Sequence, residues 1–295
     1  MRRAGGGRSL RVAAAALVGI TAALTWPPGA HGQELLERAR EAGKVRVGYA
    51  NMAPYGFADA DGRLTGEAPE IARIILSRMG IGEVEGVVTD YESLVPDLKA
   101  GRFDVIAAGM IVLPRGCAEV LFSEPIHGVR EAFLVRPGNP ERLGTFEDVA
   151  AHEDAMLAVV AGAAEGDYAR QAGVPGERML VVPDAAAGAA AVASGAADAL
   201  ALTSPEIAAI ARAEGAAAGP DLEGTAPFAS IAGEAVRGHG AFAFRKEDAA
   251  FAAEFNRHLA EFIGTEAHLA LIEPFGLTEA DLPERTTAEL CEPVS

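Results

Sequence analysis

Basic side chains are scarce in this chain: 25 Lys and Arg stand against 42 Asp and Glu, a formal charge of −17. The first 32 residues carry four of the arginines and no acid, so the remaining 263 hold 21 basic and 42 acidic side chains, a net of −21. That balance argues against a nucleic-acid binder and against a protein held to anionic lipid, both of which need a basic face. Half of the residues are hydrophobic, which argues against a disordered chain. Metal-ligand spacings are missing: the six histidines are dispersed, with no His-x-x-x-His among them. There is no Gly-x-Ser-x-Gly elbow and no Gly-rich phosphate cradle, so neither a cofactor nor a metal is expected.

The apolar run Val12–Trp26 spans 15 residues, short of the roughly 20 that a membrane-crossing helix needs. It follows the basic stretch Arg2 to Arg11 and precedes a turn-prone end, Pro27 to Gly32, with small residues at Ala30 and Gly32. This is the layout of a secretory signal peptide cleaved near Gly32, and no cysteine follows it to take a lipid anchor. Export to a bacterial periplasm is expected. Only two cysteines occur, Cys117 and Cys291, and an oxidising compartment favours their pairing over two separate thiols. A bridge would return the tail to Cys117 and close a loop worth about 4 to 5 kcal/mol in the chain-entropy model.

What remains reads as alternating strands and helices. Lys44–Ala50 alternates like a strand, Asn51–Gly66 is loop, and Pro69 opens a helix that Gly80 stops. Val84–Val88 and Asp104–Ala108 are strands flanking a short helix, Tyr91–Ala100. A second run follows: strand Ala155–Val160, a helix from Gly162 to near Ala172, strand Met179–Val182, helix Ala185–Ser194, strand Asp198–Leu202 and helix Pro205–Glu214. Gly215–Gly240 reads as connector, Ala241–Phe244 as a strand and Ala249–Ile263 as an amphipathic helix. The pattern is that of α/β lobes built on mostly parallel sheets. The division expected is leader 1–32, lobe one 33–136, lobe two 137–238 and a return to lobe one over 239–295.

Gly101-Arg-Phe-Asp-Val-Ile-Ala-Ala-Gly109, Phe122-Ser-Glu-Pro125 and Glu273-Pro-Phe-Gly276 resemble the family 3 extracellular solute-binding proteins of ABC transporters. Within that family the ectoine/hydroxyectoine-binding branch is most similar. Its counterparts here are Gly66-Glu-Ala-Pro-Glu-Ile-Ala-Arg73, Pro96-Asp-Leu-Lys-Ala-Gly-Arg102, Val181-Val-Pro-Asp184, Ala243-Phe-Arg-Lys246 and Ile272-Glu-Pro-Phe-Gly276. Cys117 and Cys291 also fall where that branch has cysteines. The resemblance spans residues 34 to 292 and implies a type II periplasmic binding protein: two α/β lobes on a hinge, closing on a small zwitterionic solute. A permease in the inner membrane would read that closure, and the receptor is expected to act as a monomer.

The same resemblance implies site residues. Tyr55 and Tyr91 match two aromatic walls that hold a delocalised cation, with Phe57 nearby a residue that could equally cap the core. Ile111 replaces a third aromatic wall, and Met52 replaces an acid. Gly116 stands where the family has an arginine that forks onto a ligand carboxylate; Arg115, one residue earlier, either reaches the cleft or points to solvent. Ala163, Ala164 and Glu165 occupy a helix start whose N–H groups could bind an anion. Thr203 stands where an ammonium-binding Asp is expected, which argues against an ordinary α-amino acid. The amino-acid receptors of the same family are the alternative. A further one is a secreted dehydratase of the cyclohexadienyl type, for which Glu165 and His127 are the candidate general bases.

Overall fold

The computed structural model describes residues 30–217, 223–225, 230–231 and 234–292. The expected leader therefore lies outside the described residues but for its last three. Eight strands follow one another across the main sheet: β1 (Lys44–Tyr49), β2 (Glu83–Val88), β3 (Val105–Ile111), β4 (His127–Val135), β5 (Leu157–Val160), β6 (Met179–Val182), β7 (Ala199–Thr203) and β8 (Arg237–Phe244). Their spatial order is β2-β1-β3-β8-β4-β7-β5-β6. The pairs β1–β2, β1–β3, β5–β7 and β5–β6 are parallel, while β8 and β4 run antiparallel to their neighbours.

The long strand β4 carries the chain from one half of the molecule to the other. His127 to Arg130 pair with Gly240 to Arg237 of β8, and Glu131 to Val135 then pair with Thr203 to Ala199 of β7. Neither β4 nor the first four residues of β8 is evident in the sequence, which reads 215–240 as connector. The adjacent charges Arg130 and Glu131 interrupt the apolar run of β4, and the start of β8, Arg237-Gly-His-Gly240, has no apolar alternation at all.

Helices cover both faces. Those used below are α1 (Ala30–Ala42), α2 (Glu67–Arg78), α3 (Leu94–Lys99), α4 (Pro114–Glu119), α5 (Phe146–Ala151), α6 (Glu165–Gln171), α7 (Ala185–Ser194), α8 (Ser204–Ala217), α9 (Ala249–Ala260) and α10 (Glu266–Ile272). Helix α7 shows how local chemistry sets such boundaries. The Asp184 carboxylate accepts the Ala187 N–H at 2.8 Å, and Gly195 ends the helix at φ 76°. Helix α2 starts at Glu67 rather than at Pro69, because Pro54 and Gly66 carbonyls accept the N–H groups of Glu67 and Glu70. Pro69 still lies in the first turn, where a missing N–H costs nothing.

Burial follows the two halves of the sheet. On one side Val45, Val47, Ile71, Ile75 and Leu76 pack with Phe242, Phe244, Phe251 and Phe255, with ring centroids of Phe242 and Phe255 4.8 Å apart. On the other, Phe133, Phe146, Leu157 and Tyr168 form one core and Leu134, Val192, Leu200 and Leu202 another. Each fully buried ring or aliphatic side chain contributes about 1.5–3 kcal/mol of transfer free energy. A disulfide joins Cys117 to Cys291, fastening α4 to the C-terminal turn as expected. Among the described residues no helix is long and apolar enough to cross a membrane, and no three His, Cys, Asp or Glu side chains are placed so that they could hold a metal ion.

Candidate functional site

The two halves meet at a nearly closed cavity of only about 10 Å³, lined by Met52, Tyr55, Tyr91, Ile111, Glu165 and Glu206 together with small residues that include Ala164 and Thr203. Tyr55 is set by its loop: its N–H donates to Met52 O at 2.9 Å, and its own carbonyl accepts from Ala68 N at the start of α2. Gly109 makes room for the ring. It sits at φ 61°, and a Cβ there would lie 2.6 Å from Tyr55 Cγ, so a side chain is excluded by both backbone and contact. Tyr55 Oη meets Thr203 Oγ1 at 2.7 Å, across the boundary between the halves.

Thr203 passes that contact on. Its hydroxyl donates to Glu206 Oε2 at 2.7 Å and its N–H approaches the same oxygen at 3.2 Å. Tyr55, Thr203 and Glu206 thus form one buried relay that ends on a carboxyl. Burial, with the negative charge of Glu206 next, pushes the Tyr55 phenol up, and burial does the same at Tyr91. Both rings remain neutral at physiological pH.

The most unusual feature is the collection of buried acids. Glu131 on β4, Glu165 at the start of α6 and Glu206 in the first turn of α8 are 0%, 3% and 3% exposed. Burial pushes the Glu165 carboxyl up to about 7, partly offset by its own backbone N–H. Burial and then the charge of Glu165 push Glu206 up to about 8, against the bonds from Thr203. Glu131 is raised well above the usual carboxylate range by burial and by Glu165 and Glu206. Glu131 Oε1 and Oε2, Glu165 Oε2 and Glu206 Oε1 have no hydrogen-bond partner among the described residues. Carboxyls held neutral by burial donate as well as accept, and those of Glu131 and Glu165 interact directly with one another.

The residues expected from the sequence divide. Tyr55, Tyr91, Ile111, Ala164, Glu165 and Thr203 line the cavity, as does Met52. Arg115 does not: its Nε donates to Asp167 Oδ2 at 2.6 Å and one terminal nitrogen to the carbonyls of Gly162 and Ala163, while the side chain stays 54% exposed. It ties α4 to the start of α6 beside the cleft. Burial alone would raise Asp167, but hydrogen bonds from Arg170 and Arg115 hold it below the usual range. Phe57 sits half-buried in a two-residue strand away from the lining. His127 also lies off the lining: its Nδ1 meets Glu67 Oε2 at 2.7 Å and its ring stacks on Tyr55 with centroids 4.7 Å apart.

Two expectations are corrected. Thr203 in place of an Asp does not leave the cavity without a carboxyl: Glu206, one helical turn on, accepts from the Thr203 hydroxyl and lines the cavity as well. Of the N–H groups at the start of α6, that of Ala163 is not free for an anion, because it donates to the Val160 carbonyl at 3.2 Å. Glu131 and Glu206 escaped the sequence reading, though each left a signal. Glu131 is a lone acid before Ala-Phe-Leu-Val135, and Thr203-x-x-Glu206 is a capping pattern.

Two α/β halves exchanging strands around a buried polar cavity are the architecture of two-lobed solute receptors. The chain belongs to the bacterial extracellular solute-binding proteins, family 3, whose family model matches residues 45–276. A probable amino-acid ABC transporter periplasmic-binding protein of Sinorhizobium fredii is 36% identical over 97% of this chain and 93% of its own length. The crystal structure of EhuB in complex with hydroxyectoine is similar at a TM-score of 0.80 and 34% identity, over 88% of this chain and 99% of that one. An ancestral amino-acid-binding protein described as a precursor of cyclohexadienyl dehydratase shares the fold, at a TM-score of 0.69 and 24% identity over 82% of this chain and 99% of its own. The fold is therefore that of a type II periplasmic binding protein.

Proposed function

We propose that the chain is exported, loses its leader near Gly32, and serves an ABC importer as the periplasmic receptor for ectoine, hydroxyectoine or a similar compatible solute. The observation that carries this reading is the pairing of two tyrosines with buried carboxyls in one cavity. Tyr55 and Tyr91 offer ring faces to a flat delocalised cation, and Glu165 and Glu206 offer oxygens to its N–H groups. The likeness to a hydroxyectoine-bound structure supports the solute class, and the amino-acid relatives support the importer. Closure would turn on the two crossings, at Arg130–Glu131 and Val236–Arg237, with Tyr55–Thr203 and Arg115–Asp167 joining the lobes when shut.

A dehydratase is disfavoured because His127, one of its two candidate bases, is engaged with Glu67 outside the lining. The receptor should leave prephenate and arogenate unchanged.

Calorimetric titration with ectoine, hydroxyectoine, glycine betaine and the common amino acids tests the assignment. Ectoine and hydroxyectoine are expected to bind one per chain and glycine betaine weakly, since a quaternary nitrogen has no N–H to give. Tyr91→Ala should weaken ectoine binding by about tenfold or more, the size of a desolvated cation–π contact. Tight binding of a common amino acid with none of ectoine would overturn the solute class and leave the importer reading standing.

A further inference from the structure

Resting on the receptor reading, the structure points further, to the size of the solute: we propose that this site takes zwitterionic cyclic amidines whose ring carries an aliphatic arm longer than a methyl, the arm lying in an alanine-lined groove that adjoins the cavity. The groove holds about 460 Å³ and runs between loop 51–53 of one lobe and helices α7 and α8 of the other. It shares two walls with the small cavity, since Met52 and Glu206 line both. One layer of side chains therefore separates the closed space beside Tyr55 and Tyr91 from a much larger apolar one.

The groove owes its shape to what α7 lacks. The run Ala185-Ala-Ala-Gly-Ala-Ala-Ala-Val-Ala-Ser194 carries no charge, and every α7 residue that lines the groove is an alanine. Ala186, Ala190 and Ala193 recur at helical spacing on that side and are exposed, and Ala209 and Ile210 of α8 complete the lining. A row of small residues alone says nothing of a ligand; Glu206 supplies what does. It is 3% exposed, its Oε2 takes the Thr203 hydroxyl, and its Oε1 has no partner among the described residues. A buried polar atom left open in the wall between two spaces is a place for a ligand N–H. Room has to be made there, because a cavity of about 10 Å³ holds one water at most. Tyr55 is held by Thr203 and by stacking on His127, and Glu206 by Thr203. Met52, an unbranched thioether, changes shape most easily, and the groove lies beyond it.

Ligand chemistry sets the direction of the arm. In a cyclic amidine such as ectoine, the carbon between the two nitrogens bears the ring's alkyl substituent, a methyl in ectoine itself. An N–H given to Glu206 therefore sets that substituent against the same wall, toward Met52 and the groove. The charged ring stays between the tyrosines and the carboxyls, and only the arm leaves the cavity. Along its path Met52, Ala189, Ala190 and Ala193 present no polar side chain that the arm would strip of water.

Homologues of ectoine with the ring methyl replaced by ethyl, propyl and butyl, titrated by calorimetry into the mature chain beside ectoine, test this. In the wild type each added methylene is expected to tighten binding about two- to threefold, less than the roughly fourfold of full burial because the groove is open to water on one side. In Ala190→Leu, which fills the groove from an exposed helix position, the gain should vanish while ectoine itself binds within about twofold of the wild type. Ala186→Leu is the second variant, and thermal melts show that each folds. Homologues no tighter than ectoine on the wild type, or a gain with length that survives in both variants, would overturn the groove and leave the receptor standing. Silence with ectoine and all of its homologues would overturn the solute class on which the inference rests as well.

Discussion

Replacing both cysteines, Cys117→Ala with Cys291→Ala, is expected to lower the unfolding free energy by about 5 kcal/mol, because the bridge closes a loop of 174 residues in the unfolded chain. For a chain of this size that corresponds to a fall in melting temperature of roughly 10–15 °C. The double variant is the appropriate one, since a single substitution leaves a reactive thiol. The consequence reaches the site as well. The bridge fastens the tail to α4, and α4 carries Arg115, which reaches across to Asp167 and the carbonyls of Gly162 and Ala163. Leu290 and Cys291 also pack against the core that contains Leu94, Leu98 and Phe103. Ligand affinity should therefore fall by a few-fold alongside stability, read by calorimetry at a temperature where both forms are folded. A melting temperature unchanged within 2 °C or so would mean that the tail is held by packing alone.

The unliganded receptor is expected to lose stability as the pH rises from 6.5 to 8.5. Glu165 and Glu206 titrate near 7 and 8 in the folded chain, against 4.5 when exposed, because burial and mutual repulsion disfavour their charged forms. Over this window the folded state holds more protons than the unfolded one, so each step up in pH favours unfolding. The total is about 2 to 3 kcal/mol. His239 and His268, lowered by burial, act in the opposite sense, but their contribution is complete once the pH exceeds the ordinary histidine value of 6.5. Below about pH 4 stability falls again as Asp97 loses its bonds from Thr89 and Arg102 and Asp167 its bonds from Arg170 and Arg115. Thermal melts across this range check the prediction: Glu206→Gln should flatten the fall above pH 6.5. Stability rising up to pH 8.5 in the unliganded wild type would contradict the buried-acid account.

The segments that made the chain recognisable turn out largely to hold one lobe together. In Gly101-Arg-Phe-Asp104, Asp104 receives Arg46 at 2.9 and 3.1 Å and Arg245 at 3.4 Å, while Phe103 is fully buried. The arginine of Ala243-Phe-Arg-Lys246 donates to the Phe103 carbonyl at 2.7 Å and pairs with Asp248 at 2.6 Å. Such buried networks tolerate little change, which is why they carry the family signal and make the fold legible. The strand β4 was harder to see, because Arg130 and Glu131 break its apolar run where the chain passes between lobes. Two of the three acids in the cluster were hidden as well. Glu131 and Glu206 come together only because β4 and β7 pair, a contact between residues 75 positions apart that no local pattern encodes. Tyr55, Tyr91 and Glu165 were accessible through the resemblance. The sequence alone could not show Arg115 turning to Asp167, since a long side chain beside a glycine has several ways to go.

Native mass spectrometry of the mature chain at pH 7.5, mixed with an equimolar pool of ectoine, hydroxyectoine, glycine betaine and the common amino acids, tests the central claim most directly. One ectoine or hydroxyectoine per wild-type chain, and markedly less on Tyr91→Ala, is the predicted result. A folded wild-type chain that stays bare, or one occupied by a common amino acid instead, would contradict it.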